Sequence, residues 1–261
     1  MVELREPAHY IVFHPENQRC AVSVHATAIV RGTFVDLWAG KVWVDSPGGN
    51  EDPFVFGASW AYSYCHATQL RRGLQGHGGY VTKGSCILFC SGNYGDKGVL
   101  AVDTIFWISE GHRWASSDEP PCGYSRDVED QTDIWKAHLR FGGQPDHHQG
   151  KYTDEAALYP QPDCLYSRLP LDDMGERVQV ALTDVSEGLR TRITNRLHGK
   201  CPVLLSGPDL RSILKLLDDQ TAVAVVGNVV PNDDTFSRVR IGQETQCTTC
   251  WRKASKPAPK S

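Results

Sequence analysis

Tyr80-Val81-Thr82-Lys83-Gly84-Ser85-Cys86-Ile87-Leu88-Phe89-Cys90 and, a few residues on, Gly98-Val99-Leu100-Ala101-Val102-Asp103-Thr104-Ile105-Phe106-Trp107-Ile108 carry the strongest local signal in this chain. Both are apolar for most of their length, as expected of central strands covered on both faces. Between them, Ser91-Gly92-Asn93-Tyr94-Gly95-Asp96-Lys97 is rich in residues that tolerate positive φ. The spacing predicts a β-hairpin.

On the N-terminal side, the first third also reads as strands. Tyr10-Ile11-Val12-Phe13 and Ala21-Val22-Ser23-Val24 are separated by the turn-like Pro15-Glu16-Asn17-Gln18. Phe34-Val35-Asp36-Leu37-Trp38 and Lys41-Val42-Trp43-Val44-Asp45 flank Ala39-Gly40, which predicts a second hairpin, and Ser46-Pro47-Gly48-Gly49-Asn50 breaks the chain. Downstream, Ser125 is a good N-cap for a helix over 126–140 that carries Val128, Trp135 and Leu139 on one face. A second helix starts at Ser206-Gly207-Pro208-Asp209 and continues through Leu210, Ile213, Leu214 and Leu217, and a β-prone run, Thr221-Ala222-Val223-Ala224-Val225-Val226, follows it. From Gly142 to Asp173 periodicity is lost, which reads as a long loop of the kind that often carries function.

Strands first and helices last predict an α+β, strand-rich fold built on a β-barrel or strongly bent sheet. The organisation expected is a strand-rich core over 1–175, an α/β segment over 176–250 packed on it, and a basic flexible tail over 251–261. That tail carries Arg252, Lys253, Lys256 and Lys260 and no acid. Without those four bases, 23 remain against 31 acids, a net of −8 for the first 250 residues, which argues against a protein that coats nucleic acid non-specifically.

With 40% hydrophobic and 22% charged residues in 261, a globular core is expected. No stretch approaches the roughly 18 apolar residues of a membrane helix, so no membrane partner is expected. The N-terminus lacks the basic end and apolar run of a signal peptide, and the nine cysteines lack the regular spacing of a disulfide framework. Both point to the cytoplasm.

Motifs for common cofactors are absent: there is no Walker loop, no Gly-x-Gly-x-x-Gly after a strand, no Gly-x-Ser-x-Gly and no His-Glu-x-x-His. No cofactor is therefore expected. Cys247-Thr248-Thr249-Cys250 has the spacing of two zinc ligands, but a structural site needs four, and two reduced thiols are the simpler reading, so no metal is assigned. In Trp60-Ala61-Tyr62-Ser63-Tyr64-Cys65-His66, the residues Trp60, Tyr62, Tyr64 and His66 alternate, so an extended chain puts all four on one face. Such a face either packs into the core or stacks on bases. Arg71, close behind, suits a phosphate.

The pattern Lys83-Gly84-Ser85-Cys86-Ile87-Leu88-Phe89-Cys90-Ser91-Gly92, then Gly98 to Phe106, resembles PUA-like domains of the EVE and ASCH type, bacterial and phage versions associated with nucleotide modification. The resemblance spans residues 55–110, with Ser85 where that family usually has an acid. It implies a small β-barrel whose pocket accepts a flipped or modified base, and hence a modified nucleobase, nucleotide or nucleic acid as partner. Trp60, Tyr62, Tyr64 and His66 would form the aromatic wall, and Ser91, Asn93 and Asp103 the polar contacts. Asp103, an acid inside an apolar strand, otherwise serves as a structural acceptor for loop N–H groups. The rival expectation is an enzyme acting on nucleotides or nucleic acid, with His66 or His25 as acid/base and Asp103 or Asp45 as its partner.

Overall fold

The computed structural model describes residues 7–16, 19–45, 53, 55, 60, 62–63, 84–92, 98–114, 155–160, 167–195 and 202–232. Eleven strands and two α-helices lie in these segments: β1 (His9–Pro15), β2 (Arg19–Val30), β3 (Thr33–Asp45), β4 (Tyr62–Ser63), β5 (Cys86–Gly92), β6 (Val99–Trp114), β7 (Glu155–Pro160), β8 (Leu169–Leu171), β9 (Gln179–Ala181), α1 (Glu187–Thr194), β10 (Val203–Leu205), α2 (Gly207–Gln220) and β11 (Val223–Pro231). The larger sheet has the order β10-β1-β5-β6-β7-β4, with β9 added against β6, and is curled into a half-barrel. The smaller sheet runs β3-β2-β11-β8. The chain is thus a strand-rich α+β protein.

The expected hairpin is present as the antiparallel pair β5–β6. Because strand side chains alternate, β5 sends Ile87 and Phe89 to one side and Cys86, Leu88 and Cys90 to the other. Both sides are covered. On one, Val22, Val24, Ala26, Ala28, Val42 and Val44 of the small sheet pack against Tyr10, Phe89 and Phe106 of the large one. On the other, Leu189 and Ile193 of α1 and Leu210, Ile213 and Leu217 of α2 cover Ile11, Leu88 and Ile105. Being buried on both faces explains why the β5 and β6 sequences are continuously apolar rather than alternating. In β2, by contrast, only every second residue from Val22 to Ala28 is buried, since its other face meets solvent. The segment after residue 175 supplies β9 and β10 to the large sheet and β11 to the small one.

Helix α2 begins as its sequence signals. The Ser206 side chain accepts from the Asp209 backbone N–H while Asp209 accepts from the Ser206 N–H, a capping box with Pro208 in the first turn. The expected hairpin at Ala39-Gly40 is corrected, because β3 runs unbroken through both residues. The reversal sits earlier, at Arg31 (φ 46°) and Gly32 (φ 80°), with Val30 paired to Thr33. Two consecutive positive φ values give the two-residue turn that matches strand twist. Gly40 serves packing instead, since a Cβ there would lie 2.1 Å from the Trp38 ring. The glycine makes room for Trp38, which packs against the core. The long loop expected over 142–173 is likewise corrected, since it contains β7 and β8. The helix expected over 126–140 and the tail lie outside the described residues.

Candidate functional site

The unusual chemistry lies at one end of the sheets, where parallel β1 and β5 finish and β6 begins. Along β5–β6, Phe89 pairs with Thr104 but Cys90 pairs with Val102, so Asp103 is an extra residue opposite no partner. Such a bulge bends the strand and re-aims a side chain. The Asp103 carboxylate is fully buried and lies beside the Ser91 hydroxyl, with Oγ 3.3 Å from Oδ1.

An ionised carboxylate out of water needs partners, and the fold brings two arginines to it. Arg177 Nη1 donates to Asp103 Oδ1 at 3.1 Å, and Arg19 Nη2 lies 3.1 Å from Oδ2. Arg177 also donates to Ser91 Oγ. On its outer side its two terminal nitrogens grip both oxygens of Glu16, at 3.2 and 2.5 Å, a fork-to-fork pair. The Arg177 guanidinium carbon stands 5.4 Å from the centre of the Trp43 ring, a cation–π contact. The Arg19 side chain is 2% exposed, that of Arg177 13% and that of Glu16 35%, so the network opens to solvent at Glu16.

Local structure delivers Arg177 to this place. After β8, the Asp172 carboxylate accepts from the N–H groups of Met174 and Glu176, and Gly175 takes φ 76°. The chain thereby reverses tightly, and Leu171 bridges to Arg177. Val102 N–H then donates to Val178 O at 3.0 Å, which locks Arg177 next to the bulge. Hydrogen bonding by Arg177 holds the Glu16 carboxyl below its ordinary value, helped by the charge of Arg19 and by the Ser91 hydroxyl. The carboxylates of Glu16 and Asp103 hold Arg177 firmly protonated despite its burial.

Of the residues singled out in the sequence, Ser91 and Asp103 are brought together. Asp103 takes guanidinium groups and a hydroxyl as partners, in place of the loop N–H groups expected of it. Trp60 is 1% exposed in the core between the sheets, so it packs, the first of the two roles its alternation allowed. Its indole N–H finds no acceptor among the described residues. Tyr62 pairs with Leu158 on the edge strand β4, and Leu158 pairs with Gly111. That position is eight residues along β6 from Asp103 and two strands across, so Tyr62 and Asp103 belong to different ends of the sheet. Tyr64, His66, Arg71, Asn93 and the Cys247–Cys250 pair lie outside the described residues.

His25 is exposed on β2, six residues from Arg19, or about 20 Å of extended chain. It is out of hydrogen-bond reach of Asp103. Sequence reading missed Arg19, Arg177, Glu16 and Trp43. The signal available was the cost of Asp103 itself, which demands cations without saying which.

Among the described residues no group of three or more His, Cys, Asp or Glu side chains is placed to hold a metal ion, and no helix is long and apolar enough to cross a membrane. No family model, no curated protein and no solved structure matches the chain.

Proposed function

We propose that this protein is a non-enzymatic binding module of the PUA-like kind, recognising a modified base presented as a nucleobase, a nucleotide or part of a nucleic acid. The observation that carries the reading is the meeting of Asp103, Ser91 and Arg177 beside the Trp43 ring. Enclosing a base requires an aromatic face for stacking and a few fixed polar groups aimed at its edge. Trp43 offers an aromatic ring, with Arg177 over it. Asp103 and Ser91 offer an acceptor and a hydroxyl held on adjacent strands of a sheet buried on both sides, so their spacing cannot drift.

Binding is preferred to acid–base catalysis because both Asp103 oxygens lie 3.1 Å from guanidinium nitrogens. The charged partners of that carboxylate are guanidinium groups, which keep their protons in proteins and so supply no acid–base relay. The acidic balance of the first 250 residues fits a pocket reader, which relies less on phosphate charge than a groove binder does.

The test is a thermal-shift screen with nucleosides and short DNA and RNA oligomers, with and without base modifications. A ligand at 100 times its dissociation constant stabilises by about 2.7 kcal/mol, a visible shift. A shift confined to modified bases is expected. Equal shifts with unmodified bases, or none with any ligand, would overturn the reading. Tyr64→Ala extends the test to the aromatic stripe: weaker binding by a folded variant puts Tyr64 at the ligand.

A further inference from the structure

Arg177 is backed by Asp103 and Trp43, and its outward fork is filled by a carboxylate that belongs to the chain itself. Glu16 sits in the β1–β2 turn and is the most exposed member of the network. Its carboxylate is held by both terminal nitrogens of Arg177, which also donates to the Ser91 hydroxyl and shares Asp103 with Arg19. Such donors are those with which proteins hold oxyanions. The described charges also balance: Arg19 and Arg177 against Asp103 and Glu16. With Glu16 turned out, one positive charge remains, enough for a single anionic group.

We propose that the Arg177 fork, with Arg19 and Ser91 behind it, is a binding site for the phosphate group of a nucleotide or nucleic-acid ligand, and that Glu16 is a tethered stand-in which the phosphate displaces. This rests on the nucleotide-binding reading above for its ligand class, though not for its donor set. Glu16 is suited to leave: its side chain is 35% exposed, whereas the Asp103 side chain is fully buried. The displaced carboxylate goes into water and the guanidinium keeps a bidentate partner, so no buried charge is stranded.

A tethered competitor has an unusual signature. It lowers apparent affinity by the fraction of time the site is free, so removing it tightens binding. The experiment is titration calorimetry of the full chain, wild type, Glu16→Gln and Arg177→Gln, each checked for a cooperative melt. The probes are inorganic phosphate, a modified nucleoside and its 5′-monophosphate. Glu16→Gln is expected to bind inorganic phosphate and the monophosphate about tenfold more tightly than wild type, and Arg177→Gln to bind both more weakly than wild type. If Glu16→Gln folds and binds phosphate no better than wild type, Glu16 is an ordinary ion-pair partner and the inference fails. Nucleoside binding that is indifferent to the phosphate and to Glu16→Gln would leave the base-reading proposal standing and remove this one. Tightened phosphate binding with no nucleoside binding would do the reverse.

Discussion

Asp103 Oδ1 and Arg177 Nη1 lie 3.1 Å apart, although 74 residues separate them in the chain. The contact joins a bulge in the central strand β6 to the tight turn after β8. Asp103 has no exposed side-chain surface, so removing it leaves Arg19 and Arg177 facing one another in the protein.

Asp103→Ala is therefore expected to destabilise the fold by about 3–5 kcal/mol, the usual cost of leaving a buried charge uncompensated. Glu16→Ala, at the solvent side of the same network, is expected to cost about 1 kcal/mol or less. Urea unfolding of both variants checks the difference. Equal, small losses would mean that the Asp103 network is wet and weak.

The acid limb of stability should involve Glu16. Its folded-state pKa is lowered from an ordinary value of 4.5, so the native state holds fewer protons there than the unfolded chain does. The contribution is present above about pH 4.5 and is lost as pH falls through the folded value. Urea midpoints measured from pH 7 to pH 3 should fall less steeply in Glu16→Gln than in wild type. Parallel curves would contradict the pairing with Arg177.

At the start of α2, Ser206→Ala removes the acceptor of the Asp209 N–H and one partner of the Asp209 carboxylate. A loss of about 1 kcal/mol is expected. Ser206→Asp, which keeps an acceptor at the N-cap, should restore most of it in the same denaturation assay.

Cys86 and Cys90 are fully buried, and burial pushes both thiols up from their ordinary value. The thiolate is the reactive form. Mass-spectrometric mapping of iodoacetamide labelling at pH 8 should find both untouched in the native protein and modified once urea unfolds it. Native labelling at either would mean that the central sheet opens locally.

What the sequence revealed, and what it hid, follows from how far each signal reaches. The β5–β6 hairpin was legible because two apolar runs flanking a glycine-rich turn are local, and α2 was legible because Ser206 and Asp209 cap their own helix. Gly40 misled. A glycine in a strand-like stretch suggests a turn, but here it yields space to Trp38, and the turn uses Arg31, a residue with no turn preference. β7 and β8 were hidden in a stretch rich in proline and glycine, because their pairing comes from distant strands rather than from alternation. In the site, Asp103 announced itself as an acid in an apolar strand. Arg177 and Glu16, 161 residues apart, carried no mark at all, since nothing in a surface-like arginine tells that a turn ordered by Asp172 will carry it to a bulge. The Tyr62 to His66 alternation was real as a pattern, yet its Trp60 neighbour went to the core and Tyr62 to the far end of β6.

Base recognition at this site is tested by calorimetric titration of a modified nucleoside, identified by the thermal-shift screen, into wild type and Ser91→Ala. Ser91 carries no charge, so its loss spares the ion pairs that hold the fold. Saturable binding to wild type is expected, at least about tenfold weaker in a Ser91→Ala variant that melts cooperatively, which corresponds to the loss of about one hydrogen bond. Binding of equal strength in both proteins would contradict recognition here, because the ligand would then sit away from Asp103 and Ser91.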